Sequence, residues 1–349
     1  MKNKRNLISI GILLILVLLT LWAFLKGQNI DELIDAMHSA DPYYIFLAVV
    51  CVVIFLFGQG FIFRYLLAVL HQSTNIFKCI GYSLKGYFFC NVTPFQIGGP
   101  PIQIYSMKKD NIPIPVASMI VLIAATVYKV VLILLGFGLI IFGQSFLSEY
   151  IGMSVVIMGI GLFLTCGFCF ILFMFMFHPR LAKKAIFKFF RWLERRHLMK
   201  HKDGREEKIE AGMSKYTQTA DFFRTHGSSM VVLLILTTLQ RVCLFSVTYC
   251  VYRALGFAGE SMIKIVIMQA VISLSVDMLP IPGGVGLSEA LFSKIFQTVF
   301  TSASLLPALA LSRGISYYVQ LLICAAFVFI SRYAFAGRRR KAAEYAKSA

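Results

Sequence analysis

Long apolar runs alternate with short polar ones along almost the whole chain. Stretches of roughly 18 residues or more run from Leu7 to Leu25, Tyr44 to Phe63, Pro115 to Phe142, Ile151 to Phe177, Met230 to Val251 and Leu305 to Ile330. About 20 residues rising 1.5 Å each cross a hydrocarbon core of about 30 Å, so each run predicts a spanning helix. Two further apolar segments, Gly81 to Met107 and Ile265 to Phe300, are interrupted by proline and glycine: Pro94, Gly98 and Gly99 in the first, and Pro280, Pro282, Gly283, Gly284 and Gly286 in the second. Proline removes a backbone donor and glycine allows positive φ, so a helix must stop at each break and leave backbone groups unpaired. Lipid does not tolerate such groups unless protein or a wet cavity satisfies them. Tight turns between two full spans are the competing reading, but halves of about a dozen residues are too short for it.

Composition agrees with this pattern. Of 349 residues, 58% are hydrophobic, and the mean hydropathy of +0.78 exceeds what a soluble core of this size needs to bury. The first run follows Lys2, Lys4 and Arg5 but ends Leu-Trp-Ala-Phe-Leu-Lys, with no small residues at cleavage spacing, so it is expected to remain as an anchor. The eight cysteines are scattered, and Cys166 and Cys169, three apart in an apolar run, are expected to fill packing gaps rather than act as a redox pair. No metal-ligand spacing and no GxxxxGK[ST] loop is present, so no cofactor is expected, and transport would run down a gradient or with an ion.

The net charge of +18 is unevenly placed, and loops rich in Lys and Arg stay in the cytoplasm. Lys2, Lys4 and Arg5 precede the first run, whereas the loop after it holds Asp31, Glu32, Asp35 and Asp41 against Lys26. Arg64, Lys78, Lys85, Lys108 and Lys109 surround the first broken segment; residues 178–228 carry thirteen Lys or Arg against six Asp or Glu; and Arg338, Arg339, Arg340 and Lys341 close the chain. Both termini and the 178–228 loop are therefore expected inside. Leu181, Ala185, Phe189 and Leu193, with basic residues between them, predict a helix lying in the interface against anionic headgroups, and nucleic acid is not an expected direct partner. The charge map also requires the first broken segment to return to the inside and the second to the outside. The expected fold is thus an all-α polytopic membrane protein of six spans with two re-entrant hairpins of opposite entry, an inverted repeat whose breaks meet near the midplane. Residues 1–349 are read as one transmembrane domain, with 331–349 a basic cytoplasmic tail.

Ionisable groups at membrane depth cost roughly 2.5–3.5 kcal/mol each on insertion scales, so each needs a partner or a purpose. Lys129 and Arg241 fall at the centres of their runs, Arg313 is read near the outer end of the last, and Asp277 and Glu289 bracket the second break. Three cations and two acids around one cavity would receive an anionic phosphate, with the acids holding the empty site together. Each also has a plainer reading. Lys129 would snorkel if its helix were shifted, and Glu289, in the first turn after the glycines, suits a helix N-terminus without further function. Asp277 sits where a helix C-terminus disfavours an acid, so a cationic partner is expected there.

Asn91-Val-Thr-Pro-Phe-Gln-Ile-Gly-Gly paired with Pro280-Ile-Pro-Gly-Gly-Val-Gly-Leu-Ser-Glu289 resembles the transmembrane region of lysylphosphatidylglycerol synthases, a flippase-like family, over essentially the whole chain. The resemblance implies movement of an anionic or aminoacylated phospholipid to the outer leaflet of a bacterial cell membrane, and with it resistance to cationic antimicrobial peptides. It carries over Pro280, Pro282, Gly283, Gly284, Gly286 and Glu289 residue by residue. Two-part members also hold a cytoplasmic domain that transfers lysine from its tRNA, whereas here only a short basic tail follows Ile330. A phosphatidylglycerol lysyltransferase is therefore the second expectation. A membrane subunit recruiting a separate soluble synthase through residues 178–228 is the third.

Overall fold

The computed structural model describes residues 39–331, except 73, 94–95, 153, most of 179–204, 280–283 and 285. Nothing described is a strand, and five helices are long and apolar enough to cross a membrane: α1 (Pro42–Val69), α4 (Ile114–Phe142), α5 (Ser154–Phe177), α7 (Gly227–Ala254) and α10 (Ser302–Ser331). The expected span Leu7–Leu25 lies outside the described residues. Local chemistry starts these helices. Asp41 accepts from the Tyr43 amide (2.8 Å) ahead of Pro42 in the first turn of α1, while Pro115 stands in the first turn of α4. Large apolar side chains such as Phe142 (89% exposed) and Phe163 (78%) face outward, as lipid-facing positions do. Each described span reaches or passes its expected bounds except at Ile151, where a wide turn over Leu147–Ile151 and Gly152 at φ +52° put the start of α5 at Ser154.

Both broken segments fold back on themselves. α2 (Ile76–Val92) and α3 (Gly99–Lys109) form the first hairpin, and α8 (Met262–Val276) and α9 (Leu287–Phe296) the second. The mouth of the first is closed by Tyr82 Oη donating to Asp110 (2.6 Å) and by the Lys78–Asp110 ion pair (2.8 Å). At the mouth of the second, Phe257, before α8, packs edge to face with Phe300, after α9, at 5.6 Å between ring centres, and Phe300 also packs on Tyr252 at 5.6 Å.

The two breaks use glycine for different reasons. Gly284 and Gly286 have φ of +67° and +94°, which side chains with a Cβ rarely adopt. Gly98, at φ −68°, and Gly99 are instead required for closeness: a Cβ on Gly98 would lie 2.9 Å from the Phe89 carbonyl, and one on Gly99 2.8 Å from that of Gly86. Freedom at positive φ is therefore not the reason for the first pair.

The hairpins open at opposite ends because the helices around them run in opposite senses. α1 and α7 pack antiparallel along their length: the Asp41 amide donates to the Ala254 carbonyl (2.9 Å), Arg253 to Tyr44 Oη (3.1 Å), and Gln240 to the Phe55 carbonyl (2.9 Å). Each leads into a hairpin and then into a long helix, α4 or α10. The unit of helix, hairpin and helix thus occurs twice, and the second copy is inverted.

Within the 178–228 stretch, α6 (Arg205–Thr225) docks on α4 and buries Tyr216, Ala220 and Phe223. Lys183 pairs with the exposed Glu210, whose carboxyl is held below the usual carboxylate range by that hydrogen bond and charge. Ala185, Phe189 and Leu193 of the expected interfacial helix lie outside the described residues. Tyr216 Oη donates to the Phe175 carbonyl (2.9 Å), one of the last four carbonyls of α5, which have no partner within their own helix. Tyr216→Phe is expected to cost about 1 kcal/mol, read as a lower melting temperature of the detergent-solubilised protein.

Candidate functional site

Lys129 lies at the middle of α4 and Asp277 caps the C-terminus of α8, and the two form a salt bridge, at 6% and 8% exposure. Asp277 also accepts from Tyr128 Oη (2.7 Å), so both of its oxygens are engaged. Without partners these charges would each cost several kcal/mol to bury, and together they form a neutral unit. Lys129 further lies 5.6 Å from the centre of the Phe168 ring.

Arg241, at the middle of α7, is held differently. Its guanidinium lies 3.7 Å from the centre of the Tyr128 ring and 5.0 Å from that of Phe55, and no carboxylate among the described residues pairs with it. Its Nε is buried without a hydrogen-bond partner in the protein. Aromatic faces stabilise a desolvated cation by about 2 kcal/mol but satisfy none of its N–H groups. Tyr128 therefore joins two units, with its hydroxyl on Asp277 and its ring on Arg241.

The first hairpin brings its break to the same place. Cys90, at the end of α2, lies within electrostatic reach of both Arg241 and Lys129. Tyr87, one turn earlier, accepts from Gln240 Nε2 (3.1 Å) and donates to Gln59 Oε1 (3.4 Å), which links α2 to α7 and α1. The break itself is capped by Thr93, whose hydroxyl donates to the Phe89 carbonyl (2.6 Å) and accepts from the Gly98 amide (2.9 Å). Two more buried atoms here have no partner in the protein, Gln240 Oε1 and Asn91 Nδ2. Buried polar atoms are nearly always paired, so three unpaired ones beside the first break, two of them donors, leave hydrogen bonds there for water or a ligand to make.

At the second break Glu289 caps a helix N-terminus, as its place after the glycines implied, and also pairs with a cation. One oxygen accepts from the Gly286 amide at the start of α9, and the other from Arg313 Nε (2.9 Å), while Arg313 also reaches Ser288. Arg313 lies eleven residues into α10, about 16 Å along its axis from Ser302. Immediately after it, α10 widens into π-type turns over Gly314–Val319, and Tyr317 Oη donates to the Asn91 carbonyl (3.0 Å). The last helix thereby ties one break to the other.

Of the expected site residues, Lys129, Arg241 and Asp277 come together, and Glu289 and Arg313 form a second, separately paired unit. Gly98, Gly99, Gly284 and Gly286 shape the two breaks. Pro94, Pro280, Pro282 and Gly283 lie outside the described residues. Tyr128, Tyr87, Gln59 and Gln240 were missed by the sequence reasoning, although a glutamine at the middle of an apolar run carries the same signal of expense as a charge.

The sequence profile of the lysylphosphatidylglycerol synthase TM region matches residues 6–324. A UPF0104 membrane protein of Pyrococcus horikoshii is 25% identical over 361 aligned positions, which cover 95% of this chain and 98% of that protein. With helices α1 to α9, all but the last two turns of α10 and both breaks inside the matched range, the chain belongs to the lysylphosphatidylglycerol synthase transmembrane-region family.

Proposed function

We propose that the protein moves an anionic or aminoacylated phospholipid, of the lysylphosphatidylglycerol type, between the leaflets of a bacterial cell membrane and so contributes to resistance against cationic antimicrobial peptides. The whole chain acts as one transmembrane unit with both termini, the 178–228 loop and the basic tail on the cytoplasmic side. The lipid phosphate sits against Arg241 and Lys129 while its acyl chains stay in the bilayer. Asp277 holds Lys129 when the site is empty, and the Glu289–Arg313 pair anchors the second hairpin.

The observation that carries this reading is Arg241, a cation at mid-span with a buried unpartnered N–H and two aromatic faces in place of a carboxylate. Phosphate oxygens accept from a guanidinium in charge-assisted, often bidentate bonds, and such a ligand would supply the missing acceptors. Two hairpins entering from opposite ends, with their breaks joined at the site, suit alternating access to it.

Arg241→Gln in a strain that depends on the protein is expected to cut surface exposure of the lipid at least tenfold, with the total unchanged. Leaflet-resolved mass spectrometry reads both quantities, with an impermeant amine-reactive probe for an aminoacylated lipid and impermeant periodate, which cleaves the headgroup diol, for phosphatidylglycerol. Unchanged exposure would remove Arg241 from the site, and loss of the total lipid on deleting the gene would place the chain in synthesis instead.

A further inference from the structure

The charge inventory of the membrane-embedded region restricts the headgroup. From Pro42 to Lys109 the chain has no Asp or Glu, and across the described parts of the other membrane-length helices and of the second hairpin only Asp277 and Glu289 occur. Both are spent on cations of the protein: Asp277 on Lys129 and Tyr128, Glu289 on Arg313 and the Gly286 amide. The Lys129, Arg241 and Asp277 cluster is left with one net positive charge, which belongs to Arg241.

We infer that the site selects headgroups of net negative charge, an unmodified phosphodiester such as phosphatidylglycerol, over aminoacylated lipids. This narrows the function proposed above to its anionic alternative, in place of the aminoacylated one, and rests on it for the location of the site. A lysyl headgroup brings two ammonium groups with its phosphate and is a net cation. Placed beside Arg241, its ammonium groups would meet a like charge at low dielectric and find no described carboxylate free to receive them. A zwitterionic headgroup brings one ammonium and meets the same shortage. A phosphodiester with a neutral glycerol brings only what the site lacks, an acceptor for Arg241 Nε, and its hydroxyls suit Gln240 Oε1 and Asn91 Nδ2, an acceptor and a donor without partners.

The test uses the full-length protein in vesicles containing traces of phosphatidylglycerol, lysyl-phosphatidylglycerol or phosphatidylcholine, each labelled on an acyl chain with a nitrobenzoxadiazole group. Dithionite, which cannot cross the bilayer, reports the leaflet. The lipids retained by the purified protein, drawn from a host making both glycerol lipids, are counted by mass spectrometry.

Phosphatidylglycerol is expected to move at least tenfold faster than either of the others and to dominate the retained lipid. Gln240→Glu, of nearly the same shape, adds a carboxylate next to Tyr87 and close to Arg241, and should shrink that ratio at least threefold. Arg241→Lys, which keeps the charge, should preserve the preference even where the rate falls. Equal or faster movement of the lysyl lipid overturns the inference and leaves translocation standing. If no lipid moves but phosphatidylglycerol dominates the retained lipid, the inference holds for binding and the proposed function falls. If no lipid moves and retention is unselective, both fall.

Discussion

Asp277→Ala is expected to destabilise the protein by about 3–5 kcal/mol, more than any other single truncation considered for this bundle. The substitution leaves Lys129 charged and nearly fully buried at the middle of α4, and it takes the acceptor from Tyr128 Oη. The cost is that of an orphaned charge, not the net worth of the pair. Replacing both partners, as Lys129→Met with Asp277→Leu, should therefore recover most of the loss, because an apolar pair of similar volume removes the desolvation penalty along with the attraction. Thermal unfolding of the detergent-solubilised variants checks this. If the double variant were no more stable than Asp277→Ala, burial of an unpaired charge would not be the cause.

The second large effect is expected at Gly161, on the face of α5 that meets α8. A Cβ there would overlap the Leu274 carbonyl and lie 2.9 Å from Ser275 Cα, both backbone atoms that no rotamer change can move aside. Small residues allow membrane helices this approach, and filling such a space costs about 1–3 kcal/mol or more. Gly161→Ala should lower the melting temperature and, because Asp277 follows this contact by two residues, also weaken the lipid movement proposed for this site. Gly159→Ala, where nothing lies within 4 Å of the added carbon, should do neither. A Gly161→Ala variant as stable and active as Gly159→Ala would show that the helices do not meet so closely.

The sequence reasoning found what the bilayer makes expensive. Long apolar runs located α1, α4, α5, α7 and α10 to within a few residues, and proline and glycine located both hairpins, because a spanning segment has one length and a break has few permitted chemistries. The need of Asp277 for a cation was legible from its place at a helix C-terminus, but which cation answers it was not. Lys129 lies 148 positions away, and only the packing of α4 against the tip of α8 joins them. The role of Tyr128 was hidden for another reason: next to a lysine in an apolar helix, a tyrosine has no pattern that separates a lipid-facing ring from one bridging Asp277 and Arg241.

The two hairpins are alike in outline and fastened by unlike chemistry. The first is latched at its mouth by a hydrogen bond from the buried Tyr82 to Asp110 and by the ion pair of Asp110 with the half-exposed Lys78, which dissolved ions screen. The second is closed by the aromatic cluster of Tyr252, Phe257 and Phe300, which parts only by exposing apolar surface. Ionic strength is accordingly a lever on one mouth and temperature on the other. Two copies of one unit, alike in outline and inverted, therefore differ in the conditions that would loosen them.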